Sequence, residues 1–320
     1  MSIIRKLSFA LIVPFLLSLV SAANSPKDLL AQGRVDEAIT ALQGEISTSP
    51  DNAESYNLLC RSHFALADWD RAISACQKAV HLAPDNSRYH LWLGRAYGEK
   101  ADRANFMSAA SLAGKVRGEF ERAVELDPNS ADARTDLAEF YLEAPGIVGG
   151  GQDKALAQAQ VLHKLSPAKA HWVYGRIAEK KKDRATAERE YRSELEASNN
   201  SGDGWLDLAI FYRRVGQLDD MEHALKELNT AELHRRDALV DGAETLIRTD
   251  RNLPLAMQLL RRYLSTGTVE EAPAFKAHYL LGTLLEKQGD KTGAAREYRT
   301  SLMLARNFGR AQEALNRLGE

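Results

Sequence analysis

The side chains from which this 320-residue chain could assemble a reactive centre are eight histidines, two cysteines and many carboxylates. His63, His81, His90, His163, His171, His223, His234 and His278 include no H-E-x-x-H pair and no two at i, i+4. That spacing is what turns two imidazoles onto one helix face toward a zinc ion. A G-x-S-x-G nucleophile elbow is also missing. Cys60 and His63 stand at i, i+3, where a base could reach a thiol. The acidic residues fall on helix faces, where a solvated charge is the default. The spacing therefore predicts a chain with no catalytic residues, no metal site and no cofactor.

A glycine cluster needs separate treatment. In Ala144-Pro145-Gly146-Ile147-Val148-Gly149-Gly150-Gly151 the glycines precede a helical pattern, and backbone N–H groups so placed can cradle phosphate. A phosphate loop also needs Lys-Ser or Lys-Thr after its last glycine, and here Gln152-Asp153 follows. The segment reads as a wide turn, in which Pro145 ends one helix and the glycines permit positive φ before the next.

The elements that would carry these residues follow from composition and periodicity. Hydrophobic residues make up 44% and charged residues 27% of the chain, enough apolar material for a buried core. Lys and Arg number 42 against 44 Asp and Glu, so there is no basic excess to neutralise phosphates and nucleic acid is not an expected partner. At the N-terminus Arg5 and Lys6 precede an apolar run from Leu7 to Val20, and Ser21-Ala22-Ala23 follows. This is the pattern of a secretory signal peptide over residues 1–23, shorter than a membrane span prefers and interrupted by Pro14. The expectation is an exported protein, periplasmic or secreted, with an uncleaved membrane anchor as the less favoured alternative.

Self-similarity organises the remainder. Val35-Asp36-Glu37-Ala38 leads to Pro50-Asp51-Asn52, and Asp70-Arg71-Ala72 leads to Pro84-Asp85-Asn86 at an offset of 34 residues. Trp205, Leu208, Ala209 and Tyr212 keep the spacing W-x2-L-A-x2-Y, and Leu93-Gly94-x2-Tyr97 and Leu281-Gly282 repeat its core. Small residues recur where two helices would approach most closely: Gly94, Gly175, Ala209 and Gly282 in one helix, Ala72, Ala155, Ala187 and Ala294 in the other.

These features resemble the tetratricopeptide repeat (TPR), whose units are antiparallel helix pairs of 34 residues. The resemblance implies an all-α solenoid, a right-handed superhelix of about eight units over residues 24–306. Unit starts fall near residues 19, 53, 87, 131, 168, 202, 238 and 275, and residues 307–320 are expected to form a C-terminal capping helix. Two units depart from the pattern. The third carries about ten extra residues, among them Phe106, Met107, Ala110 and Leu112, which read as lengthened helices packing locally or as a projecting docking element. The fourth holds the glycine loop. Together they are similar to a group of exported bacterial TPR proteins, a likeness that carries no activity with it.

In that family the first helix of each unit lines the concave face. The resemblance assigns to it Asn57, Arg61, Phe64, Leu91, Arg95, Glu99, Thr135, Glu139, Trp172, Arg176, Leu206, Ile210, Arg213 and Tyr279. Arginines interleaved with aromatic rings suit an extended peptide or a carboxylate. The chaperone-tail carboxylate clamp is not reproduced, since Arg61 occupies its asparagine position. Cys60 and His63 fall on positions that pack inside the array, and so does Cys76. Cys60 and Cys76 occupy positions 8 and 24 of one hairpin, at similar heights, so they could form a disulfide in an oxidising compartment or fill the core as free thiols. The expected function is a non-enzymatic adaptor or scaffold of the cell envelope that binds a protein or peptide, with no small-molecule substrate. The alternative is a membrane-anchored accessory subunit of an assembly or secretion machine.

Overall fold

The computed structural model describes residues 24–319. The expected signal peptide lies outside the described residues. Among the described residues seventeen α-helices follow one another, and the first sixteen of these pair into eight antiparallel hairpins. These are α1 (Pro26–Ala31) with α2 (Val35–Thr48), α3 (Ala53–Ala65) with α4 (Trp69–Leu82), α5 (Ser87–Ala101) with α6 (Phe106–Leu126), and α7 (Ala131–Glu143) with α8 (Gln152–Leu165). Then come α9 (Pro167–Lys180) with α10 (Arg184–Ala197), α11 (Gly202–Val215) with α12 (Leu218–Leu228), α13 (Ala238–Thr249) with α14 (Leu253–Thr266), and α15 (Ala274–Lys287) with α16 (Lys291–Leu304). The last helix, α17 (Gly309–Leu318), packs on α16. Among the described residues no helix is long and apolar enough to cross a membrane.

The local signals of each hairpin are set by the repeat. The Asn that follows Pro-Asp caps a first helix: Asn52 accepts from the Ser55 N–H and Asn86 from the N–H groups of Arg88 and Tyr89. Each such cap stabilises by about 1 kcal/mol. Between the two helices the chain reverses through a residue with positive φ at Gly33, Ala67, Lys182, Gly216 and Gly289, and through two, Asp250 and Asn252, in the seventh hairpin. The turn geometry therefore outranks residue preference at Ala67 and Lys182, a strain of order 1 kcal/mol that the packed hairpin absorbs. Asp68, Asp183 and Asp290 follow directly and cap the second helices through N–H groups of Arg71, Thr186 and Gly293.

First helices of successive hairpins touch one another, as in α3 with α5, α7 with α9, α11 with α13 and α13 with α15, whereas second helices sit between hairpins on the outside. This layering curves the array, with the first helices on the inner face. The curve then closes. Leu29, Leu30, Val35 and Ala38 of the first unit share one apolar cluster with Phe275 and Ala305 at the last hairpin and Phe308 and Ala311 at the start of α17. Thr268 Oγ1 donates to the Ala31 carbonyl at 2.7 Å, and the Arg306 backbone N–H donates to Asp36 at 2.7 Å. The solenoid is thus one turn whose two ends meet.

Both irregular units are ordered. The extra residues of the third lengthen α6 to 21 residues, against 14 for most second helices. Its first turn projects with Phe106 and Met107 more than four-fifths exposed, while Leu112 is the first side chain to pack on the core cluster. In the fourth, Ala144 is extended ahead of Pro145 and ends α7, and a short 3-10 turn at Gly146–Val148 follows. A Cβ on Gly150 would fall 1.7 Å from the Ala144 carbonyl oxygen, so only glycine fits there. The Gly151 N–H donates to the Tyr141 carbonyl at 2.8 Å and Arg117 reaches the Val148 carbonyl at 3.4 Å, which ties the loop to α7 and α6.

Candidate functional site

Two of the reactive groups that the spacing allowed are used up in the fold. Cys60 on α3 and Cys76 on α4 are joined by a disulfide, their Cα atoms 5.1 Å apart, so no thiol is left beside His63. The His63 ring is buried, which holds its pKa below the ordinary histidine value. Among the described residues no group of three or more His, Cys, Asp or Glu side chains is placed to hold a metal ion.

The inner face is where the expected binding residues gather, and the structure sorts them into three kinds. Asn57, Leu91 and Leu206 are buried in the helix layers. Phe64 and Tyr279 are half-buried and pack on neighbouring rings, Phe64 edge-on to Trp69 and Trp92, Tyr279 against Tyr298 and Phe308. These five residues hold hairpins together rather than face a partner. Thr135 Oγ1 donates to its own helix, at the Ala131 carbonyl.

The arginines form the second kind, and all but one already have a carboxylate. Arg61 is buried, lies against the Trp92 ring and makes a two-pronged pair with Glu270, 209 residues away in the loop before α15. It fastens the ring closure and is not free to receive a partner's carboxylate. Arg95 Nε donates to Asp136 Oδ2 at 2.6 Å and its guanidinium stacks over Trp92 at 5.0 Å. Arg176 pairs with Glu143 and with Glu179 and lies over the Trp172 ring. Glu99 takes Arg103 at 2.7 Å. Arg213 is half-buried, and its Nε has no hydrogen-bond partner.

Beside half-buried Trp172 and Ile210, the inner face carries carboxylates. Glu139 on α7 is solvent-exposed but has protein on most sides, and burial together with Asp136 raises its pKa, with Glu143 and Asp207 adding to the effect. Glu194 on α10 is buried, and no donor group reaches its Oε2. It faces Asp207 on α11. Burial and the Asp207 charge push the Glu194 carboxyl well above its ordinary range, and burial raises Asp207 as well. Trp172 also hydrogen-bonds to Asp207. On α13 Asp241 is pushed up to about 7 by desolvation and by Asp237, with Arg235 opposing.

Sequence reasoning missed Asp136, Glu194, Asp207, Asp241 and Glu270. Asp136 and Asp207 share one repeat position, four residues after Asp132 and Asp203, and that regularity was the available signal. Glu270 lies in a loop outside the repeat, and no periodicity points to it.

The sequence matches a family model described as "Tetratricopeptide repeat" over residues 29–97 and a second of the same description over residues 275–308. No curated protein matches it. Among solved structures, MamA is similar at 22% identity over 55% of this chain and 96% of its own, with a TM-score of 0.44. TTC0263, a thermophilic TPR protein of Thermus thermophilus, is similar at 19% identity over 58% of this chain and 96% of its own, with a TM-score of 0.48. The Cut9–Hcn1 assembly of APC/C covers 92% of this chain at 13% identity and a TM-score of 0.41, over 54% of that chain.

Proposed function

We propose that this tetratricopeptide-repeat protein is a non-catalytic adaptor of the cell envelope, holding an extended segment of a protein partner against its inner face. The observation that carries the reading is the inner layer itself. First helices α7, α9 and α11 of three successive hairpins carry exposed Glu139 and half-buried Trp172 and Ile210, while Cys60 and Cys76 are bonded to each other and His63 is buried. Repeats of this kind serve as interaction surfaces because stacked units extend one concave face without needing a closed pocket.

Two features support an exported location: the signal-like N-terminal pattern and the Cys60–Cys76 bridge, since disulfides persist in oxidising compartments. Intact mass of the isolated protein tests it. A chain beginning near Ala23 or Asn24 agrees with export, and one retaining Met1 or Ser2 favours the anchored alternative.

The binding reading is tested by placing a photoreactive phenylalanine analogue at Ile210 or Trp172, with exposed Glu196 on outer helix α10 as the control. The expected outcome is a single adduct of discrete mass from the inner positions and none from the outer one. Adducts from Glu196 alone, or turnover of a substrate that a single side-chain change abolishes, would overturn the adaptor reading.

A further inference from the structure

We infer that the groove between α3 and α4 of the second hairpin is a separate docking site, which takes carboxylate side chains from an extended acidic segment of a protein partner. At about 100° per residue, Tyr56, Leu59 and His63 lie on a face of α3 turned well away from Asn57, Arg61 and Phe64, so this site stands apart from the inner-face reading. With Arg71, Lys78 and His81 of α4 they border an open groove of about 590 Å³. The first argument is a carboxylate that other hairpins have and this one lacks. In the third, fifth and eighth hairpins a glutamate of the second helix bonds a histidine of the first: Glu119 to His90, Glu190 to His171 and Glu297 to His278. In the second hairpin the glutamate position is Ala75, which lines the groove. The histidine position is Tyr56, whose hydroxyl has no hydrogen-bond partner among the described residues.

The second argument is charge. Arg71, Ser74, Lys78 and His81 recur at three and four residues, one row about 15 Å long on α4. Arg71 pairs with Asp68 at 3.3 Å. Lys78, which lies over the Tyr56 ring at 5.9 Å, and His81 have no ion pair among the described residues, and no Asp or Glu lines the groove. A row of that length matches four or five residues of extended chain at about 3.3 Å each, which favours a peptide over a compact oxyanion. The third argument is a buried group left open. His63 is only 7% exposed where it borders the groove, and its Nδ1 has no hydrogen-bond partner among the described residues. Such a group is costly unless a partner arrives, and a carboxylate both accepts from the ring and favours its charged form. The Cys60–Cys76 bridge, next in sequence to Leu59 and Ala75, fixes the two walls, so the groove is formed before a partner binds.

The experiment measures fluorescence anisotropy of labelled octapeptides of alternating Glu-Ser, Gln-Ser and Lys-Ser with the full chain at near-physiological salt, and inorganic phosphate is added as a competitor. The Glu-Ser peptide is expected to bind and the other two are not. Lys78→Gln with His81→Gln should weaken it about tenfold, and Lys78→Gln alone about threefold. Ala75→Glu supplies the carboxylate of the other hairpins and should abolish binding with the fold intact, since Glu119, Glu190 and Glu297 occupy that position elsewhere. A control, Lys164→Gln with Lys226→Gln, removes exposed lysines from outer helices α8 and α12 and should leave the affinity unchanged. His63 reports from inside the groove. Burial holds its pKa below 6.5, with Asp68 raising it and Arg71 lowering it, and a seated carboxylate should move it upward in imidazole proton shifts followed against pH. Absence of Glu-Ser binding, an undiminished affinity in the Lys78 or Ala75 variants, an equal loss in the control, or an unmoved His63 titration would each overturn the inference. Displacement of the peptide by an equal concentration of phosphate would overturn it too, by assigning the groove to a free oxyanion. The inner-face crosslinks at Ile210 and Trp172 are independent of every one of these outcomes.

Discussion

The second hairpin and the eighth solve one packing problem by different chemistry. At the point where α15 and α16 come closest, Gly282 faces Tyr298, and a Cβ on the glycine would lie 2.5 Å from Tyr298 Cε1. The fifth hairpin repeats this with Gly175 and Tyr191, and the third with Gly94 and Phe120. In the second hairpin the same two positions, 16 residues apart as in the fifth and eighth, hold Cys60 and Cys76 joined by the disulfide. A ring pressed on a bare backbone and a covalent bond each fill the narrow gap, but the ring acts by burial whereas the bond acts largely on the unfolded chain. The difference extends to a third position. Tyr298 and Tyr191 donate their hydroxyls to Glu286 and Glu179 of the first helix. Where the partner is Phe120 or a cystine, that position is Gly98 or Phe64, and no hydroxyl needs an acceptor. The carboxylate belongs to the tyrosine, not to the repeat.

Removing the ring should have the largest effect. Tyr298→Ala is expected to destabilise by about 3–5 kcal/mol, since it deletes a fully buried aromatic side chain and leaves a cavity against Gly282. Urea titration monitored by circular dichroism checks this. A shift of less than about 1 kcal/mol would mean that the backbone collapses into the gap and that the ring is not the spacer.

Opening the bridge should come next. Cys60→Ala with Cys76→Ala is expected to cost about 3 kcal/mol, the chain-entropy value for a loop of about this length. The same loss should follow reduction of the unaltered protein. A sharper form replaces one solution by the other: Cys60→Gly with Cys76→Phe should recover part of the loss, as the third hairpin does without a carboxylate. Cys60→Gly with Cys76→Tyr should fall below it by about 1–3 kcal/mol, the cost of a buried hydroxyl without an acceptor. Equal stability of the two replacements would show that the Glu286 and Glu179 contacts contribute nothing.

Adding to the gap is expected to matter less than emptying it. Gly282→Ala should cost about 1–3 kcal/mol through overpacking. Gly175→Ala should sit at the lower end of that range, because its Cβ would meet Tyr191 at 3.0 Å, where a small shift of the ring relieves the clash. Melting curves of the two variants rank them, and a reversed order would mean that the two hairpins do not share one geometry.

These tests also mark what the sequence made legible. Small residues at Gly94, Gly175 and Gly282 carried the hairpin geometry because the constraint is local, two helices crossing at one height. The Pro-Asp-Asn segments carried the helix starts for the same reason. Ring closure was not legible, since the pair that fastens it joins Arg61 to Glu270 across 209 residues with no period linking them. The sign of the inner face was hidden too. Arg61, Arg95 and Arg176 read as an anion-binding row until their partners Glu270, Asp136 and Glu143 are placed beside them, and pairing between units is a property of the superhelix rather than of any one repeat.

The smallest expected effect concerns a second contact that the disulfide hairpin lacks. A histidine of the first helix meets a glutamate of the second in three units: His90 with Glu119 at 2.6 Å, His171 with Glu190 at 2.9 Å and His278 with Glu297 at 2.7 Å. In the second hairpin the equivalent positions hold Tyr56 and Ala75, which cannot pair. The hydrogen bond to Glu119 raises the pKa of His90 above its ordinary value of 6.5, and the Pro84 carbonyl at its other nitrogen acts in the same direction, against the burial that lowers it. A raised histidine contributes stability that is fully present below 6.5 and is lost as pH climbs through the folded value. The third hairpin should therefore loosen slightly as pH rises from 6.5 through the raised value of His90, whereas the second should not respond through this route. Hydrogen exchange of α5 and α6 amides against α3 and α4 amides, corrected for intrinsic rates at each pH, separates the two. In His90→Gln the difference should vanish, because a neutral amide can hold Glu119 but has no proton to lose. If α5 and α6 keep the same protection across that range in the unaltered protein, the charge on His90 plays no part in holding its hairpin closed.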